Sequence, residues 1–285
     1  MFECDQYKRC EPNEANRPLR GERDMGESLG TDVAIVTGAG RGIGRAIALS
    51  LAAEGAAVGV FARTAEEIAA TAEQISEAGG RALALSVDVR DGAAVRAAAS
   101  ETEHQLGPVT LLVNNAGTPG PAGLDWEVDP QAWFECIDVI VRGAFLLSQA
   151  VVPGMIARGA GRIINIASIT GIGPSPRITA TSVAKTALIR FSEGLAVQLE
   201  AHGIRVFAVH PGVVRTRLLE SYGLQIPEAR FVGPERAGSL RARLASGRYD
   251  FLSGRFLGID DDLEELRRRA GDIKARELYT LRLNT

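Results

Sequence analysis

The stretch VAIVTGAGRGIGRAIALSLAAEG (residues 33–55) decides the fold, because it combines a strand pattern, a glycine-rich turn and a helix pattern. Residues 33–38 are a short apolar, β-branched run that ends in Gly, which is typical of a buried parallel strand. Residues 45–55 have helical spacing and end at a Gly. Between them, TGAGRGIG (37–44) permits a tight turn and offers unpaired N–H groups at the helix N-terminus to a phosphate. The motif predicts a nucleotide-binding turn; a connection without a ligand is the alternative.

The alternation of strand and helix patterns continues through the chain from about Thr31. Further strands are predicted at 56–63, 81–89, 109–117, 161–168 and 203–212. Helices are predicted at 64–80, 91–107, 130–159 and 178–201, and the tail 234–285 adds a helix, a short strand near 253–259 and a charged helix. Strict alternation predicts an α/β fold with a doubly wound parallel sheet of the Rossmann type, in a single domain over residues 31–285.

Two segments depart from this pattern. Residues 1–30 are dense in charge, Pro, Gly and Asn, with few large apolar residues. They predict a flexible N-terminal extension, and an arm docked on a neighbouring subunit is the alternative. Residues 213–233 lose the periodicity and follow a predicted strand. Because ligands bind beyond the carboxyl ends of strands in open α/β sheets, this segment predicts a lid.

Composition excludes several classes of partner. The 285 residues carry a net charge of −3 and a sequence pI of about 5.8, which predicts no nucleic-acid partner. Three cysteines without CxxC or Cys/His spacing predict no metal site. An uninterrupted apolar run of the ~18–20 residues that a membrane helix needs is not expected, and the N-terminus lacks the apolar core of a signal peptide. The sequence therefore predicts a cytoplasmic protein without a membrane partner.

The end of the second predicted strand bears on cofactor choice. An acidic residue at this place accepts the 2′-hydroxyl of NAD, whereas an Arg favours the 2′-phosphate of NADP. The sequence here is Phe61-Ala62-Arg63, without an acid, and Arg41 in the glycine-rich turn is a second cation. Both cations predict NADP(H), and the alternative is that Arg63 is a surface residue without a ligand.

Several further motifs occur in a specific order and spacing. They are VDV (87–89), NNAG (114–117), IINIAS (163–168), SVAK (182–185) and HPGVVRT (210–216). Together with TGAGRGIG they resemble the short-chain dehydrogenase/reductase family over about residues 31–260. The resemblance implies an oxidoreductase that binds a nicotinamide cofactor and a small-molecule substrate. It also implies a homodimer or homotetramer that assembles through the two long helices, 130–159 and 178–201.

The resemblance implies a role for each matching residue. Ser168 would hold the substrate carbonyl, and Lys185 would bind the nicotinamide ribose. The remaining cofactor-binding positions would be Gly38, Arg41, Gly42, Ile43 and Gly44 in the turn, Arg63, Asp88 and Val89 on the adenosine side, Asn115, Ala116 and Gly117 in the cleft, and Pro211, Gly212, Val213 and Thr216 at the nicotinamide end.

The sequence departs from the family pattern at two places. The family has a Tyr four residues before the Lys, where this chain has Thr181, and an Asn on the long helix, where it has Ile140. A phenol has a pKa near 10 that a neighbouring ammonium lowers, so it can transfer a proton. The alkyl hydroxyl of Thr181 is a far weaker acid. Tyr222 in the lid is the candidate replacement, and a hydrophobic lid residue facing substrate is its alternative reading.

Three functions follow from this combination. The first is an NADP(H)-dependent oxidoreductase that acts on a carbonyl, alcohol or activated alkene with a non-standard proton donor. The second is a repurposed enzyme of the same fold that performs cyclisation, dehydration or isomerisation. The third is a catalytically silent subunit that binds the cofactor. The first is preferred, because the fold and the cofactor motifs are those of redox enzymes.

Overall fold

Seven parallel strands form one sheet in the computed structural model, which describes residues 29–233, 236 and 243–282. The strands are β1 (Val33–Thr37), β2 (Ala57–Ala62), β3 (Ala82–Ser86), β4 (Leu111–Asn114), β5 (Gly161–Ile166), β6 (Ile204–His210) and β7 (Phe256–Gly258). Their order across the sheet is β3-β2-β1-β4-β5-β6-β7. The predicted parallel sheet is confirmed, including the short last strand. The predicted N-terminal extension lies outside the described residues, apart from its last two.

Helices cover both faces of this sheet. They are α1 (Gly42–Ala53), α2 (Ala65–Glu77), α3 (Gly92–Leu106), α4 (Pro130–Ile137), α5 (Gly143–Arg158), α6 (Thr179–Leu199), α7 (Arg217–Glu220), α8 (Leu263–Arg268) and α9 (Ala270–Ala275). Strand β1 shows the two faces directly. Its Val36 packs in one core cluster with Leu51 of α1, and its Ile35 packs in another with Leu147 of α5. The doubly wound architecture is therefore confirmed.

The helix predicted at 130–159 differs in detail from the expectation. It runs as α4, a π-helical segment at Asp138–Arg142, and α5. The run Pro130–Arg158 is long and apolar enough, by length and composition alone, to cross a membrane, although Glu135, Asp138 and Arg142 interrupt its apolar residues. In the fold its Leu147 and Met155 are buried against the sheet, as in a core helix.

The strand order reverses between β1 and β4, which makes the carboxyl ends of these strands a topological switch point. Ligands of open α/β sheets bind in the crevice at such a point.

The predicted lid follows β6 and contains regular secondary structure, which the sequence did not predict for it. It contains α7 and a 3-10 turn at Glu228–Arg230, and a parallel bridge between Val213 and Phe231 joins its two ends. The predicted helix that begins the tail lies largely outside the described residues.

Candidate active site

The glycine-rich turn between β1 and α1 has the geometry of a phosphate loop. Gly38 and Gly42 adopt left-handed backbone conformations, with φ of +63° and +54°. A Cβ at Gly44 would lie 2.2 Å from the carbonyl oxygen of Gly38, so this position excludes any larger residue. Arg41 is the N-cap residue of helix α1, and its side chain makes no capping hydrogen bond. The first N–H groups of α1, including that of Ile43, therefore suit a pyrophosphate.

The turn after β4 is tied to this phosphate loop. The Thr37 hydroxyl oxygen accepts hydrogen bonds from the backbone N–H groups of Asn115 and Ala116, both at 2.9 Å. The Asn115 side-chain amide donates to the Thr37 carbonyl oxygen at 2.8 Å. A Cβ at Gly117 would lie within 4 Å of Ile140. The structure thus brings the predicted cleft residues to the switch point.

After β3, the Asp88 carboxylate is already bound within the chain. The Arg90 guanidinium lies 2.6 Å from it and holds the pKa of Asp88 below its usual value. Arg90 also pairs with Glu135 at 3.0 Å. Neighbouring Val89 is buried, with a methyl group beside Gly143 of α5. Contacts within the chain therefore hold Asp88 and Val89 in place, and the charge of Asp88 is already paired with Arg90.

Two exposed cations stand at the same edge of the sheet. Arg63 follows β2 directly, and its side chain is exposed. Arg41 in the phosphate loop is also exposed, and its guanidinium lies 3.2 Å from Glu67 of α2. The structure therefore places both predicted cations beside the loop, and it adds an anion that sequence reasoning did not consider.

The segment after β6 folds over the phosphate loop. Pro211 is buried, and Gly212 adopts φ of +76° where a Cβ would lie 2.6 Å from Val232. The Val213 carbonyl accepts a hydrogen bond from the Val232 N–H at 2.9 Å, which closes the base of the lid. Thr216 caps α7, and its methyl group lies 3.3 Å from the place where a Cβ would stand at Gly42. The lid therefore rests on the phosphate loop.

Helix α6 presents Thr181 and Lys185 one turn apart, on one face. The Lys185 ammonium donates a hydrogen bond to the carbonyl oxygen of Ile166, at the end of β5. Burial lowers the pKa of Lys185 to about 8, because water stabilises the ammonium better than this surrounding does. The Ser168 hydroxyl oxygen accepts hydrogen bonds from the Thr170 N–H at 3.2 Å and the Thr170 hydroxyl at 3.0 Å.

Tyr222 reaches from the lid into this site. Only 8% of it is exposed, and its hydroxyl oxygen lies 2.6 Å from that of Thr181. The Thr181 hydroxyl in turn lies 3.7 Å from the thiol of Cys136 on α4, and either group can donate in each contact. Burial raises the pKa of both the Tyr222 phenol and the Cys136 thiol. The lid tyrosine and the α6 threonine therefore form one polar cluster.

Sequence reasoning predicted no metal site from the three cysteines and did not connect Cys136 with the active site. Its position offered one signal, because it lies one helical turn before Ile140. Ile140 is buried in an apolar cluster with Cys136, Ala180 and Ala184. The π-helical segment that carries Ile140 is a feature often found at functional sites. Apolar side chains thus pack beside Thr181 on the side that faces α4.

A doubly wound sheet with an uncapped phosphate loop at its switch point defines a dinucleotide-binding protein of the Rossmann class. Residues 32–226 match the short chain dehydrogenase family, and the chain belongs to that family. Its members are oxidoreductases that bind nicotinamide cofactors and act on small molecules.

Several proteins similar to this chain are dehydrogenases. A short chain dehydrogenase of Pseudocercospora fijiensis is 39% identical over 69% of this chain, which spans 64% of that protein's length. The cis-4-hydroxycyclohexanecarboxylate dehydrogenase of Sinomonas cyclohexanicum is 35% identical, with 83% of this chain and 98% of that protein covered. The structure of NAD+-bound xylitol dehydrogenase superposes with a TM-score of 0.77 and 28% identity, over 82% of this chain and 99% of the other.

Proposed function

We propose that this chain is an NADP(H)-dependent oxidoreductase that reduces a carbonyl group or activated alkene of a small molecule, with Tyr222 as the proton donor. One observation carries the proposal. The Tyr222 hydroxyl lies 2.6 Å from that of Thr181, one helical turn from Lys185. The lid therefore brings a phenol to the helix face on which the family pattern expects one.

The protonation state of Tyr222 favours one direction of reaction. Burial raises the pKa of this phenol above its ordinary value near 10, so it is protonated at neutral pH. A protonated phenol can donate to the alkoxide that forms when a carbonyl is reduced. The reverse reaction needs a base that removes the alcohol proton, and a phenol with a raised pKa is poor at that task. The proposal is therefore a reductase at neutral pH.

The other polar groups have supporting roles. Lys185, with a pKa of about 8, is mostly charged at pH 7 and would bind the ribose hydroxyls of the cofactor. Ser168 would donate its hydroxyl hydrogen to the substrate carbonyl, because it only accepts hydrogen bonds from Thr170. When bound, the nicotinamide supplies the hydride. The lid would exclude water from the reacting atoms while Tyr222 holds the proton.

The two cations beside the phosphate loop support the choice of NADP(H). Arg41 and Arg63 are exposed at the edge where an adenosine ribose binds in this fold. Both cations would attract a 2′-phosphate, whereas they would add little to the binding of an uncharged 2′-hydroxyl. The other predicted cofactor-binding positions, in the glycine-rich turn, at 115–117, at 211–213 and at 216, would line the crevice that holds the dinucleotide.

Assembly and location extend the proposal. Large apolar side chains are exposed on the two long helices, with Phe145 49% and Val197 77% exposed. Burying them against a second copy would remove apolar surface from water, so we propose a homodimer or homotetramer through this face. A cytoplasmic location remains part of the same proposal.

A catalytically silent or non-redox function is the second candidate. The specific observation in its favour is that the Tyr222 hydroxyl is buried and already bonded to Thr181. A redox role requires the lid to admit a substrate between Tyr222 and the cofactor. If the lid stays closed, the cofactor would bind without turnover.

Single-turnover assays would separate these candidates. The chain would be mixed with NADPH and a panel of ketones, aldehydes and enones, while NADPH absorbance and product formation are followed together. Loss of absorbance matched by reduced product would support the proposal. Product without loss of absorbance would instead establish a non-redox enzyme. NADPH binding with no product in any reaction would establish the silent subunit.

A further inference from the structure

Glu67 on α2 lies between the phosphate loop and the lid. Its carboxylate is 3.2 Å from the guanidinium of Arg41 in the loop and 3.6 Å from that of Arg217 at the start of α7. The Glu67 side chain is 28% exposed, whereas those of Arg41 and Arg217 are 60% and 76% exposed. The anion is therefore the partly buried member of this cluster, and the two cations that pair with it are more exposed.

The position of Glu67 is held by the fold. Buried Thr71, one turn further along α2, donates its hydroxyl to the carbonyl oxygen of Ala39 at 3.1 Å. A Cβ at Gly40 would lie 2.8 Å from the Glu67 Cβ, so the helix and the loop are in direct contact. A different rotamer could move the carboxylate, but the start of its side chain stays against the loop.

The charge of Glu67 acts differently on the two nicotinamide cofactors. A phosphate monoester carries a charge of about −1.5 to −2 at pH 7, whereas a ribose hydroxyl carries none. A carboxylate paired with Arg41 reduces the positive potential at the loop, and it competes with a phosphate for the same guanidinium. It therefore opposes binding of a 2′-phosphate, whereas its effect on the pyrophosphate is common to both cofactors.

We infer that Glu67 is a cofactor-specificity residue that moderates the preference for NADP(H) created by Arg41 and Arg63. The inference rests on the proposed function, because it assumes that the adenosine ribose binds beside these cations. It goes beyond that function in assigning an opposing charge within the same site. The chain discriminates between the two cofactors less strongly than its arginines alone would.

Cofactor binding to the whole chain tests this inference without a substrate. Dissociation constants for NADPH and NADH would be measured by fluorescence titration for the unsubstituted chain and for Glu67→Gln. The amide keeps the shape of the side chain and removes its charge. We expect NADPH to bind about 3-fold to 10-fold more tightly, and any gain for NADH through the shared pyrophosphate to be less than about 2-fold. The gain should shrink as salt is added, because the charges are largely exposed.

Two further variants make the result specific. Glu66→Gln removes an equal charge from the exposed neighbour on the same helical turn and should alter neither constant appreciably. When Arg41→Gln is already present, adding Glu67→Gln should not change NADPH affinity further, because the cation that Glu67 shields is gone.

The inference has two distinct ways to fail. Equal changes for both cofactors, no change, or a loss of NADH binding in Glu67→Gln would overturn it, the last by making Glu67 a direct partner of the ribose. An unsubstituted chain that binds neither cofactor, or prefers NADH, would overturn the proposed NADP(H) function and the inference with it.

Discussion

The hydroxyl groups of Thr181 and Tyr222 lie 2.6 Å apart, although the residues are 41 positions apart in the sequence. Thr181 belongs to the core helix α6, and Tyr222 belongs to the lid that follows β6. Their contact closes the lid onto the helix face that carries Lys185. A hydrogen bond of this kind between buried groups stabilises the closed lid by about 1 kcal/mol. It also fixes where the phenol can deliver a proton.

Replacement of Tyr222 by Phe tests the proton donor. The ring and its packing remain, and only the hydroxyl is lost. We expect the rate of carbonyl reduction to fall about 10²-fold to 10⁴-fold, because that is the usual contribution of a general acid. NADPH affinity should stay within about 2-fold. Tyr249→Phe is the matched control, since the Tyr249 hydroxyl bonds to Glu264 outside the site. An unchanged reduction rate in Tyr222→Phe would exclude Tyr222 as the donor.

A larger residue at position 181 tests how tightly the cluster is packed. Thr181 is buried between Cys136 and Tyr222, so Thr181→Tyr should overpack the site. We expect a loss of about 1–3 kcal/mol in the free energy of unfolding, measured with urea. Adding Tyr222→Ala should recover most of it, because the two rings compete for one space. Equal losses in the single and double variants would show that Tyr222 does not occupy that space.

Alkaline pH tests the environment of Lys185. Its pKa is about 8 in the folded chain and near 10.5 when unfolded, so the unfolded state binds more protons between these values. The contribution of Lys185 to the free energy of unfolding therefore rises with pH in this window, by up to about 1.4 kcal/mol per pH unit. Below pH 8 the full cost of burying the ammonium is present.

Lys185→Met removes this cost and isolates its pH dependence. The variant should exceed the unsubstituted chain in stability most strongly near pH 7, and the difference should shrink as pH rises to about 9.5. Urea unfolding at several pH values measures it. The exposed Lys274, replaced by Met in the same way, should give a difference that is nearly constant with pH. A constant difference for Lys185→Met would contradict the lowered pKa.

Gly44→Ala tests the phosphate loop. The new methyl group would stand 2.2 Å from the Gly38 carbonyl oxygen, so the loop must shift to accommodate it. We expect NADPH affinity to fall at least about 10-fold and the Tm to drop. Gly194→Ala is the matched control, because nothing lies within 4 Å of a Cβ there and α6 gains helix propensity. If Gly44→Ala bound NADPH normally, the loop would not be the phosphate site.

Phe145→Glu tests the proposed subunit interface. The side chain is 49% exposed on α5, and its ring lies 6.3 Å from that of Phe191 on α6. A charge at this place should oppose burial against a second copy. Light scattering during gel filtration should show a shift from dimer or tetramer toward monomer. Trp126→Glu changes an 80% exposed residue outside both long helices and should leave the mass unchanged. An unchanged mass for Phe145→Glu would place the interface elsewhere.

The sequence predicted the sheet because the relevant signals are local. Apolar β-branched runs, Gly stops and helical spacing recur from 33 to 212, and each is set by residues close together in the chain. The same holds for the turn at 37–44, where Gly38 and Gly42 are required by the conformation of their own backbone. The π-helical segment at Asp138–Arg142 was not foreseen, since helical spacing does not distinguish one extra residue in a turn.

By itself, the sequence determined the doubly wound fold, the glycine-rich turn and the presence of Thr181 one turn before Lys185. Only the tertiary structure decided what surrounds that threonine. The approach of Tyr222, the neighbouring Cys136 and the pairing of Arg41 with Glu67 all join distant segments. Such contacts depend on how helices and lid pack against the sheet, and no local pattern encodes that packing.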